Sequence, residues 1–262
     1  MKLKFKMPTS WNELTDVQLN KIATLFFSEM SDVFFDIALF KILNNYAWYK
    51  FKLRVKIKLL LKNVPIIDIK NVYFNFYTKQ NLTRFISQIK ANRKTYYAPA
   101  DRLSNLTIGE FSMCEDLFLS FQNNINNKAA GYGVPALRWL AAVLYSDQKI
   151  IRADLDKNQL PFLVQDFKKV PVGFLYSMAL SYKGCKDYIA SLEKYKIIYP
   201  APKTEDKTPK KLTSANINKL IMAVADNGIF GTYKENFTTN IYTFLDYYAE
   251  KLKTIPENGT NA

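Results

Sequence analysis

Three stretches of this chain share one pattern: Leu14-Thr15-Asp16-Val17-Gln18-Leu19, Leu106-Thr107-Ile108-Gly109-Glu110-Phe111 and Leu212-Thr213-Ser214-Ala215-Asn216-Ile217. A threonine that closes an extended segment can accept a bond from the amide three residues on. A Gln or Glu at that third position can return a bond to the threonine's own amide. The flanking apolar pair then clamps the entering chain. Thr15 with Gln18 and Thr107 with Glu110 form complete boxes. At Thr213 the partner Asn216 is weaker, while Leu212 and Ile217 keep the apolar clamp. The copies stand roughly a hundred residues apart without matching flanks, so they read as helix starts and not as an internal repeat.

Helical spacing follows these starts. Helices are expected over 15–29, from Ser31 or Asp32 to Ala47, from Thr107 onward, over 134–146 with Pro135 in the first turn, and over 171–182, closed by Gly184. Further helices are expected over 185–194, 213–228 and 238–253. The run 50–59 reads differently. Phe51, Leu53, Val55, Ile57 and Leu59 alternate strictly with Lys50, Lys52, Arg54, Lys56 and Lys58, which predicts a strand with one apolar and one cationic face. Residues 71–77 predict another strand, and 84–99 a hairpin turning near Asn92. The fold expected is mainly α: a multi-helix globular protein with a small antiparallel β insertion (about 50–99) and a C-terminal helical pair. The expected organisation is a body over 1–199, a proline- and charge-rich linker or surface loop over 200–212, the helical pair over 213–253 and a frayed tail over 254–262.

Composition narrows the chemistry. With 262 residues, 48% of them hydrophobic and 19 Phe and 17 Tyr among them, the chain can build a sizeable core. It contains no histidine, which removes the commonest general base and the usual imidazole metal ligand. Cys114 and Cys185 lie far apart without metal-ligand spacing, so both read as small buried apolar residues of a reducing compartment. Neither phosphate-cradling glycine loop is written. The Gly131–Pro135 segment reads as a loop-to-helix turn. Asp154 and Asp156 lack the rest of a calcium loop, and Glu115–Asp116 read as a solvated helix edge. No apolar run is long enough to cross a bilayer, and no secretory leader is evident. The expectation is a chain without catalytic residues, metal or cofactor.

Charge offers the best functional lead. The formal net charge is +14, and residues 1–100 hold 17 lysines and arginines against 6 acidic residues. No Asp or Glu occurs between 41 and 67. The cations Lys50, Lys52, Arg54, Lys56 and Lys58 form the candidate face. Such a face suits phosphate backbones, with Tyr46, Trp48, Tyr49, Tyr96 and Tyr97 to stack on bases. It suits an acidic protein partner equally, or merely guards an exposed strand edge against aggregation. The apolar face at 241–249 is a second candidate for docking a partner segment.

The words Pro99-Ala-Asp101-Arg-Leu103-Ser-Asn105-Leu-Thr107-Ile-Gly109-Glu110-Phe111 and Leu137-Arg-Trp-Leu140-Ala-Ala-Val-Leu144-Tyr145 carry a resemblance. They are similar to poorly characterised structural-module proteins of tailed phages and prophages of Bacteroidetes. The stretches 172–189 and 228–247 extend it, so that it spans about 96–252. It departs after Tyr145, where Ser146-Asp147 replaces the group's Arg-x-Pro. The resemblance implies a non-enzymatic tail or virion assembly protein. Its partners would be other phage structural proteins or further copies of itself, and its setting the host cytoplasm during assembly and the virion. It assigns no functional residue. The alternative is a nucleic-acid-binding protein using the basic 50–58 face.

Overall fold

The computed structural model describes residues 7–45, 49–73, 75–78, 80–126, 133–149, 155–199, 217–226, 228 and 231–254. Along the chain run α1 (Asp16–Phe26), α2 (Asp32–Leu43), α3 (Phe51–Asn63), α4 (Ile66–Val72), α5 (Asn75–Thr78), β1 (Gln88–Ala91) and β2 (Lys94–Tyr97). They are followed by α6 (Ile108–Asn126), α7 (Val134–Leu144), α8 (Leu160–Asp166), α9 (Val172–Ser191), α10 (Ile217–Ala225), α11 (Tyr233–Thr238) and α12 (Ile241–Thr254). Among the described residues the protein is mainly helical with one two-stranded antiparallel sheet. The chain divides into two compact units, Met1–Arg84 with Pro171–Gly184, and Phe85–Val170 with Cys185–Ala262. No described helix is long and apolar enough to cross a membrane.

The first unit begins at the first helix-start box. The Gln18 amide donates to Thr15 Oγ1 (3.3 Å) and the Thr15 amide donates to Gln18 Oε1 (3.0 Å). Leu14 and Leu19, the expected clamp, are buried. Gln18 reaches further: its Nε2 donates to the carbonyls of Ile42 (3.1 Å) and Leu43 (3.0 Å). The side chain that starts α1 therefore also ties down the end of α2, where the Ile42 carbonyl accepts from the Asn45 amide as well (2.9 Å). Leu39, Phe40 and Leu43 of α2 join Trp11, Ile22, Ile57, Ile69 and Phe76 in the core, with Phe174, Leu175 and Met178 from α9.

Two expectations fail here. Residues 51–59 form part of a helix capped by Lys50 and not a strand, and the described residues of 71–77 lie in α4, a turn at Tyr73 and α5. The alternation fits a strand only as far as Leu59. Continuing into Leu60, Leu61 and Val64, the run also sets Leu53, Ile57, Leu60, Leu61 and Val64 at the i, i+4, i+7, i+8, i+11 spacing of one helix face. Ile57 is 1% exposed and Val55 39%, so the two residues stand on opposite sides. At 13 residues the element also exceeds an ordinary strand.

A third difference concerns Gly184. The expected stop lies inside α9, which continues to Ser191 and absorbs the separate helix expected at 185. A Cβ at this position would lie 2.0 Å from the Leu82 carbonyl oxygen. The glycine is there to admit a neighbouring backbone, not to end a helix.

The second unit contains the expected hairpin, so the β insertion occupies 88–97. Gln88 pairs with Tyr97 and Ala91 with Lys94. Asn92 (φ 46) and Arg93 (φ 66) form a two-residue turn with both φ positive, the geometry that matches strand twist. Ser146 extends the ladder by an isolated bridge to Tyr97. The second helix-start box is also present: the Thr107 amide donates to Glu110 Oε2 (2.9 Å) and the Glu110 amide to Thr107 Oγ1 (3.1 Å). Leu106 and Phe111 are buried beside it. The start of α6 meets the start of α12, with the Ile108 amide donating to the Thr239 carbonyl (2.8 Å) and the Ile241 amide to the Leu106 carbonyl (2.9 Å). α6 packs on α7, α11 and α12. The linker expected at 200–212 and the third start at Thr213 lie outside the described residues.

Candidate functional site

Folding 51–63 as a helix redistributes the candidate face. At about 100° per residue, Phe51, Val55 and Leu59 fall on one outward stripe, opposite Ile57. They are 72%, 39% and 45% exposed. Lys58 and Lys62 follow one edge of the stripe, and Lys52 and Lys56 the other. Arg54 and Lys56 are both half-buried. Lys50 stands at the N-cap, its Nζ 6.0 Å from the centre of the Tyr49 ring. Among the described residues, none of Lys52, Lys56, Lys58 and Lys62 has a carboxylate partner.

The five cations singled out by the sequence thus do not share a face. The strand reading gathers them on one side with all the apolar residues on the other. The helix divides them around an apolar strip, which sequence reasoning missed because it required the helical period. Tyr46 and Trp48 lie outside the described residues, and Tyr96 is buried in the second unit. The apolar face at 241–249 is already used: Ile241, Phe244, Leu245 and Ala249 are buried within the second unit. That corrects its reading as a free docking face.

The shifted titratable groups serve the fold. In the first unit Tyr77 donates to Asp36 Oδ1 and Tyr73 donates to the Asp36 carbonyl (3.2 Å), with Lys70 Nζ 3.7 Å from Asp36. Burial, then the bond to Asp36, pushes the Tyr77 hydroxyl well above its ordinary range. In the second unit Asp166 accepts from Tyr96 and from Asn92 (2.6 Å) and lies 3.5 Å from Lys94. Burial raises its pKa, but the bonds from Tyr96 and Asn92 and the Lys94 charge together outweigh it and leave the carboxyl below its ordinary value. Asp246, exposed at the surface, loses part of its surrounding water, but its bonds to Lys194 and Tyr195 and the Lys194 charge outweigh that loss and hold it low. Burial pushes the Cys185 thiol up to about 12, which keeps it protonated and unreactive. Glu115, expected on a solvated edge, is paired with Lys186 (2.5 Å).

Each unit has a cavity lined by several polar side chains. One of about 380 Å³ in the first unit is lined by Gln18, Lys21, Lys41, Asn45, Tyr49 and Lys50. One of about 190 Å³ in the second is lined by Tyr96, Glu110, Ser146, Asp147, Asp156 and Gln159. In the latter, Glu110 is bonded in its helix-start box and Tyr96 to Asp166. Asp156 accepts from the Asn158 amide (2.9 Å) in a local turn, while Asp154 lies outside the described residues. No group of three or more metal-ligating side chains occurs among the described residues. A further helix-start box, Thr232 with Glu235, caps α11. It was legible in the Thr232-x-x-Glu235 spacing and was missed. Comparison with known protein families, with curated proteins and with solved structures finds no match.

Proposed function

We propose that this chain is a non-enzymatic tail or virion assembly protein of a tailed phage, acting through protein–protein contacts made by its first unit. One observation carries the reading: this unit turns large apolar side chains outward. Val33, Phe34, Tyr49, Phe51, Ile67 and Val72 are each more than half exposed, and they share the unit with the unpartnered lysines of α3. Phe51, Val55 and Leu59, four residues apart along α3, make one contiguous exposed apolar strip, and such a strip among polar neighbours marks a surface that is covered in use. The phenols of Tyr77, Tyr96 and Tyr195, whose pKa values are raised, donate to carboxylates within the fold, which suits a binding role better than catalysis. The phage setting rests on the resemblance of 96–252. Partners would be other structural proteins or further copies of the chain, met in the host cytoplasm during assembly and retained in the virion.

The test is to follow the chain through an infection. Mass spectrometry of purified particles and of their assembly intermediates is expected to find it in stoichiometric amount. Its absence from both overturns the reading. The rival reading, nucleic-acid binding through the basic 50–58 face, is weakened by the helix, which sets Val55 and Leu59 between the lysines where a phosphate backbone has no use for them. It would prevail if the chain bound duplex or single strands at low salt, with affinity falling steeply as salt is added.

A further inference from the structure

We propose that the outer face of α3 is a docking surface for an anionic lipid bilayer, so that the protein can associate peripherally with a membrane. This goes beyond the assembly reading and does not rest on it. The occupant follows from charge and shape together. Phe51, Val55 and Leu59 span about 12 Å of helix and project to solvent from a helix whose other side, at Ile57, is sealed in the core. Cations border the strip on both sides, and no acidic residue occurs between 41 and 67. The face therefore offers apolar contact in the middle and positive charge at both edges.

A headgroup layer over acyl chains is complementary to that order. Lysines at the boundary lay their methylenes along the apolar region and lift their ammonium groups to the headgroup phosphates and carboxylates. Aromatic side chains favour the same depth, and Tyr49 and Phe51, 69% and 72% exposed, stand at the start of the helix.

The experiment mixes the full chain with vesicles and measures the bound fraction by sedimentation. One set is phosphatidylcholine alone and the other contains about one-quarter phosphatidylserine. Binding to the anionic set alone, weakened by salt, is expected. Changing Lys52, Lys56, Lys58 and Lys62 to Gln removes about fivefold per lysine, roughly 600-fold together. Changing Phe51, Val55 and Leu59 to Ser is expected to weaken binding at least tenfold and to increase its sensitivity to salt, because only the charges remain. Six of the seven side chains are exposed and Lys56 is half-buried, and unchanged helical circular dichroism shows that the variants remain folded. The proposal is overturned if the anionic vesicles bind no better than the neutral ones at low salt. It is overturned equally if the folded lysine variant binds as well as the parent chain, or if nucleic acid of equal charge binds as tightly and the Ser variant loses nothing. Loss of vesicle binding leaves the particle analysis unaffected, so the two readings fail separately.

Discussion

Replacing Ile57 and Val55 separately by Ala discriminates between the two structures that residues 50–59 can be imagined to form. On a strand the two side chains share one face and should matter alike. On α3 they do not. Ile57 is 1% exposed, and truncation removes three buried carbons, about 2.4 kcal/mol at ~0.8 kcal/mol each. The unfilled space adds to that, for a total of about 3 kcal/mol. Val55 is 39% exposed, so its two carbons are worth about 1 kcal/mol, and the better helix propensity of Ala returns about half of that. The expected loss for Val55→Ala is about 0.5 kcal/mol. Urea unfolding followed by far-ultraviolet circular dichroism reads both, as midpoint shifts at constant slope. Equal and large losses at the two positions would refute the helical assignment and, with it, the outward stripe on which the docking surface depends.

Gly184→Ala tests the close approach to Leu82. In a free helix the change stabilises by about 1 kcal/mol. Here the added carbon meets a backbone oxygen, so a net loss of about 2 kcal/mol is expected in the same unfolding assay, and a gain would show that the contact is not tight. Asp166 supplies a pH signature. Its pKa is depressed in the folded state, so its contribution is full above the ordinary carboxylate value, near 4, and is lost as pH falls through the lower folded value. The urea midpoint should therefore fall on that acid limb, and Asp166→Asn should flatten the fall. If the variant keeps the parent slope, the carboxylate is not the group responsible. Arg93→Gly relieves a side-chain-bearing residue held at φ 66 and is expected to stabilise by about 0.5–1 kcal/mol, read as a rise in melting temperature.

What the sequence reveals depends on how far apart the cooperating residues lie. The boxes at Thr15 and Thr107 were legible because donor and acceptor stand three residues apart, and the Asn92 turn because one hairpin contains its own logic. The helix at 51–63 was not, since strict alternation up to Leu59 follows the strand period and only the continuation through Leu60, Leu61 and Val64 brings in the helical one. Gly184 was misread because the residue that needs it, Leu82, comes from a distant segment. The bond of Tyr96 to Asp166 was hidden for the same reason. The candidate face was half visible: its lysines could be named, but the apolar strip between them exists only once the chain coils.

Neither compact unit is a single stretch of chain. The first requires Pro171–Gly184, and the second joins Leu106 and Ile108 to Thr239 and Ile241. During synthesis on a ribosome, Leu39, Ile57 and Phe76 must therefore wait until the following hundred residues have emerged before their shared core can close. The α6–α12 pairing must wait until α12 itself has been made. Such late closure leaves the nascent chain apolar and cationic for much of its translation, so holdase chaperones are expected to govern its yield in a cell more than its final stability does.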